Sequence, residues 1–210
     1  MSSQSQNKKL MRYISLGDSY TIGTGAKEEE AWPVLLTQHL NDKQIATALV
    51  ANPARNGFST QQVIDEELPV FDNSNADFVT VLIGVNDWVR GVDTKTYHTN
   101  LEFILNHVQS KLSNKKNIIL ITIPDFGVTP EGRNYGSGRD ISKGVTEFNT
   151  IIKAEAKKRG LVCVDIFNLS KKMKDDLSLV ADDGLHPSAK EYAAWEELIL
   201  PQAIKLLSQK

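Results

Sequence analysis

Short runs of apolar and β-branched residues alternate along this chain with longer stretches of helical period. Five runs predict strands, at residues 13–16, 45–51, 78–83, 118–123 and 161–166. The third and fourth are almost uninterrupted apolar stretches, the pattern of strands covered on both faces. Leu101, Ile104, Leu105, Val108 and Leu112 recur at helical spacing and form one apolar stripe, predicting a helix over residues 99–112. Ile141, Val145, Phe148 and Ile152 form another. Lys157, Lys158 and Arg159 suit the negative end of that helix, and Gly160 suits a left-handed cap. A last helix is expected after Pro187, with Ser188 and Glu191 at capping-box spacing and Tyr192, Trp195 and Ile199 on its buried face. Pro201 is expected to kink or end it, with a further turn or two towards Leu207.

Strands and helices alternating in this way predict a parallel α/β sheet with helices on both faces. The expected organisation is a polar segment at residues 1–10 and one domain over 11–210. Ligands in such sheets bind beyond the carboxyl ends of the strands, so the residues that follow each strand carry the functional question.

Composition narrows the classes. Of the 210 residues 40% are hydrophobic and 24% charged, which excludes a disordered or fibrous chain. A net charge of −2 removes the broad basic footprint of a nucleic-acid binder. The single cysteine, Cys163, cannot form an internal disulfide. No apolar run reaches the roughly 18 residues of a membrane-spanning helix, and the polar N-terminal segment has no apolar signal core. The expected location is therefore cytoplasmic.

Gly17-Asp18-Ser19-Tyr20 follows the first strand. Gly17 permits a sharp turn and leaves Ser19 at the sheet edge, as a nucleophile or as an ordinary turn serine. Gly23-Thr24-Gly25 matches neither the dinucleotide fingerprint nor a phosphate-binding P-loop. Asn56-Gly57 after the second strand is a turn dipeptide where a backbone N–H can approach a ligand. Asn86, after the third strand, offers a neutral amide suited to a developing oxyanion, or to a turn. Asp183-Gly184-Leu185-His186 precedes the last helix, so the carboxylate can orient the imidazole while the other ring nitrogen serves as a base. No nearby residues complete a metal-ligand set around His186. His39, at the end of a helical segment, fits a dipole contact, while His98 and His107 belong to the 99–112 helix region with His107 off its apolar stripe. Lys171 to Asp176 reads as a solvated charged stretch, and residues 127–138 as the longest loop.

Together and in this order, these four blocks resemble the SGNH/GDSL hydrolase family, with Tyr20 in place of the leucine of the name. The resemblance implies a flavodoxin-like three-layer α/β/α sandwich with a five-stranded parallel sheet in the order 2-1-3-4-5. It implies a serine esterase or acylhydrolase working through an acyl-serine intermediate, with Ser19 as nucleophile, His186 as base and Asp183 as its orienting partner. The oxyanion hole would use the backbone N–H groups of Ser19 and Gly57 and the amide of Asn86. Asp18 and Asp87 are expected to hold loops. The expected partner is a small-molecule ester with a small or short-chain acyl group, and neither metal nor organic cofactor is required. Phe58, Trp88 and Tyr20 are candidate apolar walls. Alternatives on the same site are an acetylated-carbohydrate esterase and a lysophospholipase or thioesterase. Different in class are a catalytically silent acyl- or glycan-binding module and a flavodoxin-like phosphate or nucleotide binder, which leaves Asp183 and His186 without a role.

Overall fold

The computed structural model describes residues 9–208, so most of the polar segment predicted at residues 1–10 lies outside the described residues. Five strands form one sheet: β1 (Met11–Gly17), β2 (Thr47–Ala51), β3 (Phe78–Leu82), β4 (Ile118–Ile121) and β5 (Val162–Val164). All neighbouring pairs are parallel and the order is β2-β1-β3-β4-β5. Parallel neighbours need crossovers, which the helices supply. These are α1 (Ser19–Ile22), α2 (Trp32–Asp42), α3 (Thr60–Gln62), α4 (Leu68–Ser74), α5 (Val85–Val89), α6 (Thr94–Lys111), α7 (Ile141–Arg159), α8 (Phe167–Ser170) and α9 (Ala189–Leu207). Helix α2 packs on α9, while α6 packs on both α4 and α7, giving three layers. Among the described residues no helix is long and apolar enough to cross a membrane.

The central strands β3 and β4 are buried at every position, as their continuous apolar sequences require. The more polar β1 is accommodated because its hydroxyls pair internally. Tyr13 Oη and Ser15 Oγ each lie 2.8 Å from Thr80 Oγ1 on β3. Helix α6 buries Leu101, Ile104, Leu105 and Val108 and starts earlier than its apolar stripe, at the point where Asp93 accepts from the Thr96 N–H. Leu112 is buried just beyond the helix end. Helix α7 ends at Gly160 in the left-handed conformation.

One expectation for the last helix fails. Ser188 is the N-cap residue of α9, but its side chain makes no cap bond and donates instead to the Ser178 carbonyl at 2.7 Å. Glu191 is fully buried and accepts from Trp195 Nε1 at 2.7 Å, so no capping box forms. Pro201 lies inside the helix, which runs on for the expected further turns to Leu207. A proline removes one intrahelical bond. Burial of Ile199 and Ala203 on either side holds the helix through it. His39 lies in the last turn of α2 as expected, yet its Nδ1 is 3.0 Å from the buried Glu196 carboxylate of α9, a contact beyond a dipole effect. His107 is partly covered rather than freely solvated, with Nε2 2.8 Å from Asp72 Oδ1.

Candidate active site

The turn after β1 is forced by contact. A Cβ on Gly17 would stand 2.1 Å from Thr21 Oγ1 and 2.3 Å from the Leu82 carbonyl oxygen, so only glycine fits. Asp18 then caps α1, its Oδ1 accepting from the Tyr20 N–H at 3.0 Å. This places Ser19 at the first position of α1. Its N–H and its hydroxyl make no hydrogen bond with any described residue. An unpaired N–H is normal in a first helical turn, where it is available to an anion.

Beneath this turn lie two carboxyl groups. Glu67, from the π-helical turn Val63–Glu67, accepts from the Gly17 N–H at 2.9 Å. Asp18 Oδ2 and Glu67 Oε1 are buried without a partner among the described residues. Burial pushes the Asp18 carboxyl up to about 8 and Glu67 well above the ordinary carboxylate range.

Gly57 has a φ of +81°, a conformation natural to glycine, and its N–H has no partner among the described residues. Asn86 on α5 donates from Nδ2 to the Phe58 carbonyl at 2.9 Å. An amide nitrogen carries two protons, so one is left to donate. Asp87 ties the same segments together. It accepts from the Thr60 N–H at 2.9 Å and from the Thr60 hydroxyl, to which Asn100 also donates. Asp18 and Asp87 thus hold loops, as expected.

The Asp183 turn is self-contained. Asp183 Oδ1 accepts from the N–H groups of Leu185 and His186, both at 2.9 Å, and Oδ2 lies 2.6 Å from His186 Nδ1. Burial pushes the Asp183 carboxyl up, but these N–H groups and the ring outweigh it and hold it below the usual range. Nδ1 is therefore the proton-bearing nitrogen toward Asp183. Nε2 makes no hydrogen bond among the described residues. The ring of Tyr20, the residue after Ser19, packs edge-on against that of His186 at 5.9 Å between centroids. This contact brings the first and last blocks together. The loop over residues 127–138 contains the short helical turn Gly132–Tyr135 and is anchored to the acid–base turn by Glu131 N–H donating to Gly184 O at 2.9 Å.

Sequence reasoning overlooked Glu67, Arg90 and Arg139. Arg139 donates to the carbonyls of Trp88 and Val89 at the end of α5 and stacks on the Trp88 ring at 4.1 Å. Their contacts that shape the site reach residues 28 to 51 positions away, which no local spacing foretells. Phe58, Trp88 and Tyr20, the candidate walls, are 9%, 6% and 3% exposed and belong to the core more than to an open cleft. The described residues best placed to hold a metal are His98, Glu102 and Glu155, whose ligand atoms lie within 4.8 Å of one another. Lys158 already bridges the two carboxylates there.

Comparison with known proteins decides the family. The family model for GDSL-like lipases/acylhydrolases matches residues 15–194. The chain belongs to that family. Its members are hydrolases acting on ester bonds, and this chain is one of them. It is 27% identical over 176 residues to the thioesterase 1/protease 1/lysophospholipase L1 of Escherichia coli strain K12, covering 83% of this chain and 74% of that protein. It is 26% identical over 125 residues to an arylesterase of Vibrio mimicus, covering 60% of each. Among solved structures, the esterase EstA of Pseudoalteromonas sp. superposes with a TM-score of 0.73 at 20% identity, covering 94% of this chain and 99% of that one. An acetyl xylan esterase from Geobacillus stearothermophilus superposes with a TM-score of 0.70 at 16% identity, covering 94% of both. Within the GDSL family the sheet order seen here is thus the expected one.

Proposed function

We propose that this GDSL hydrolase cleaves carboxylic esters of small or short-chain acyl groups, with Ser19 as nucleophile, His186 as general base and Asp183 as its orienting partner. His186 Nε2 takes the Ser19 proton as Oγ attacks the acyl carbon. The carbonyl π electrons move onto its oxygen, which lies among the N–H groups of Ser19, Gly57 and Asn86. Collapse expels the alkoxide, protonated by the imidazolium, and leaves acyl-Ser19. Water deprotonated by His186 then releases the acid and restores the serine. Asp183 keeps the ring in the tautomer that leaves Nε2 free.

The observation that carries this reading is the 2.6 Å pairing of His186 Nδ1 with Asp183, beside the segment that bears Ser19. The missing hydrogen bond between Ser19 and His186 fits a site without substrate, where such bonds are often long and tighten on binding. The short acyl preference rests on the absence of an apolar channel built from Phe58, Trp88 and Tyr20, all nearly buried. Two surface grooves run nearby, of about 380 and 620 Å³, sharing Ile22, Asn52 and Arg55. Neither is lined by Ser19, Gly57, Asn86 or His186, so they do not extend the reacting centre.

Relatives named as a thioesterase, an arylesterase and an acetyl xylan esterase keep thioesters, lysophospholipids and acetylated sugars as alternative substrates. A silent binding module is disfavoured by the N–H groups of Ser19 and Gly57 and the His186 Nε2, all without partners among the described residues, beside an Asn86 amide with one proton left to donate. The test is a p-nitrophenyl ester chain-length series beside acetylated sugars and an acyl thioester, each with wild type and Ser19→Ala. Turnover is expected to be fastest on acetyl to butyryl esters and to fall by more than about 10³ in Ser19→Ala. A rate that climbs with chain length would overturn the short-chain reading, and an active Ser19→Ala would overturn the site.

A further inference from the structure

Gly57 is the weakest mechanical link in the site. Its role needs an N–H held in one direction, yet glycine has the greatest backbone freedom of any residue. Its N–H has no partner among the described residues, and the neighbouring bonds belong to other residues: Phe58 N–H to the Arg55 carbonyl, and the Thr24 hydroxyl to the Asn56 side chain. Gly57 itself makes one hydrogen bond there, through its carbonyl, which accepts from Arg90 Nη2 at 2.5 Å. The other arm of the same guanidinium, Nη1, donates to Gln62 Oε1 at 3.2 Å, and Gln62 Oε1 also accepts from the Ser59 N–H at 2.9 Å. Arg90 is the residue that ends α5, its N–H donating to the Asn86 carbonyl at 3.0 Å. One side chain therefore joins the helix that carries Asn86 to the turn that carries Gly57.

We propose that Arg90 is a positioning residue for the oxyanion site, its forked guanidinium holding the Gly57 carbonyl and the Gln62 side chain so that the Gly57 N–H and the Asn86 amide keep a common focus. This rests on the assignment of Gly57 and Asn86 as oxyanion donors made above. Arginine suits the task because its planar fork binds two acceptors at once, which a lysine ammonium does only at the cost of ordering a flexible stem. Arg90 is itself exposed, and the two residues whose oxygens it holds, Gly57 and Gln62, are half-buried rather than sealed in the core. The effect therefore falls on the transition state, where the carbonyl oxygen has become an anion and donor direction matters most.

The test compares wild type, Arg90→Met, Arg90→Gln, Arg90→Lys and Ser19→Ala on two acetate esters, neutral p-nitrophenyl acetate and anionic 4-acetoxybenzoate, with a thermal melt of each. Loss of donor alignment is expected to lower kcat on the neutral ester by about ten- to a hundredfold in both Met and Gln variants. KM should stay within about threefold, the mark of an interaction made mainly in the transition state. The Lys variant should fall between these and wild type. Wild-type kcat on the neutral ester in a folded Met or Gln variant would overturn the proposal. So would a loss confined to KM for the anionic ester, which would make Arg90 a contact for substrate charge. Activity in Ser19→Ala would instead sink the underlying site assignment, whatever the arginine variants do.

Discussion

Two sets of buried carboxyl groups in this protein are treated in opposite ways. Asp18 and Glu67, under the Ser19 turn, are both fully buried, each has one oxygen without a partner among the described residues, and burial raises both. Glu155, on α7, is equally hidden at 2% exposure, yet His98, Lys158 and Arg159 all reach it at 2.9 to 3.2 Å. Burial pushes the Glu155 carboxyl up, but the bonds from His98, Arg159 and Lys158 outweigh it and bring it down to about 2. Burial alone therefore decides nothing; the partners do. The Glu155 network between α6 and α7 has its charge answered, whereas the turn beneath Ser19 keeps unmet polar capacity, as do Glu191 and Glu196 on α9. A buried polar atom without a partner calls for an explanation, and for Asp18 and Glu67 the nearby catalytic turn offers one.

If the two regions divide function from stability in this way, substitutions should separate cleanly. The largest effect is expected from Asn86→Ala, with a kcat loss of about 10²–10³, or about 2.7–4 kcal/mol, at an unchanged melting temperature. Steady-state kinetics beside calorimetry would check it, and unchanged turnover would remove Asn86 from the oxyanion site. Next comes Glu155→Gln, which takes the carboxylate away from His98, Lys158 and Arg159. Chemical denaturation should register a loss of about 1.5–3 kcal/mol, the range for hydrogen bonds to charged groups, with kcat/KM unaffected. A stable Glu155→Gln would mean that the network is ornamental.

The pH dependence of stability should carry opposite signs in the two regions. Folded Asp18 keeps its proton up to about 8, while an unfolded aspartate loses it near its ordinary value of 3.8. The unfolded chain thus binds fewer protons in that window, and stability should fall as pH rises through it, by at most about 1.4 kcal/mol per unit. Glu155 runs the other way: its contribution is complete above its ordinary value of 4.5 and is lost as pH falls toward about 2. Urea unfolding from pH 3 to 9 should therefore show a shallower alkaline slope in Asp18→Asn, where Glu67 and Glu191 still contribute, and a shallower acid slope in Glu155→Gln, where Asp176 and Asp183 still contribute. Slopes unchanged from wild type in the respective variants would contradict the contrast. The smallest effect is expected for Glu67→Gln. A protonated carboxyl and an amide are close in shape, and the amide oxygen can still accept from Gly17 N–H, but the amide adds a second buried donor, so stability should fall by about 1 kcal/mol at neutral pH. A loss several times larger would show that Glu67 is ionised.

The parts legible in the sequence are those written in local pattern. The apolar runs of β3 and β4, the stripe of α6 and the Gly160 cap each depend on residues within a turn or two, and each formed. So did the Asp183–His186 pairing, an i, i+3 contact. Illegible were features in which a distant partner outbids the local one. Glu191 has capping-box spacing but is drawn to Trp195, and Ser188 to the Ser178 carbonyl. Glu67 and Arg90 act 50 and 33 residues away. Their spacing along the chain carries no period from which the contact could be foreseen.

The central claim is that the Ser19 hydroxyl attacks the acyl carbon with His186 as its base, and labelling with a fluorophosphonate, read by peptide mass spectrometry, tests it directly. The account predicts one adduct per chain, on Ser19, in wild type and only slow labelling in His186→Ala. An enzyme that hydrolyses esters normally while Ser19 stays unmodified, or that labels at wild-type rate without His186, would contradict it.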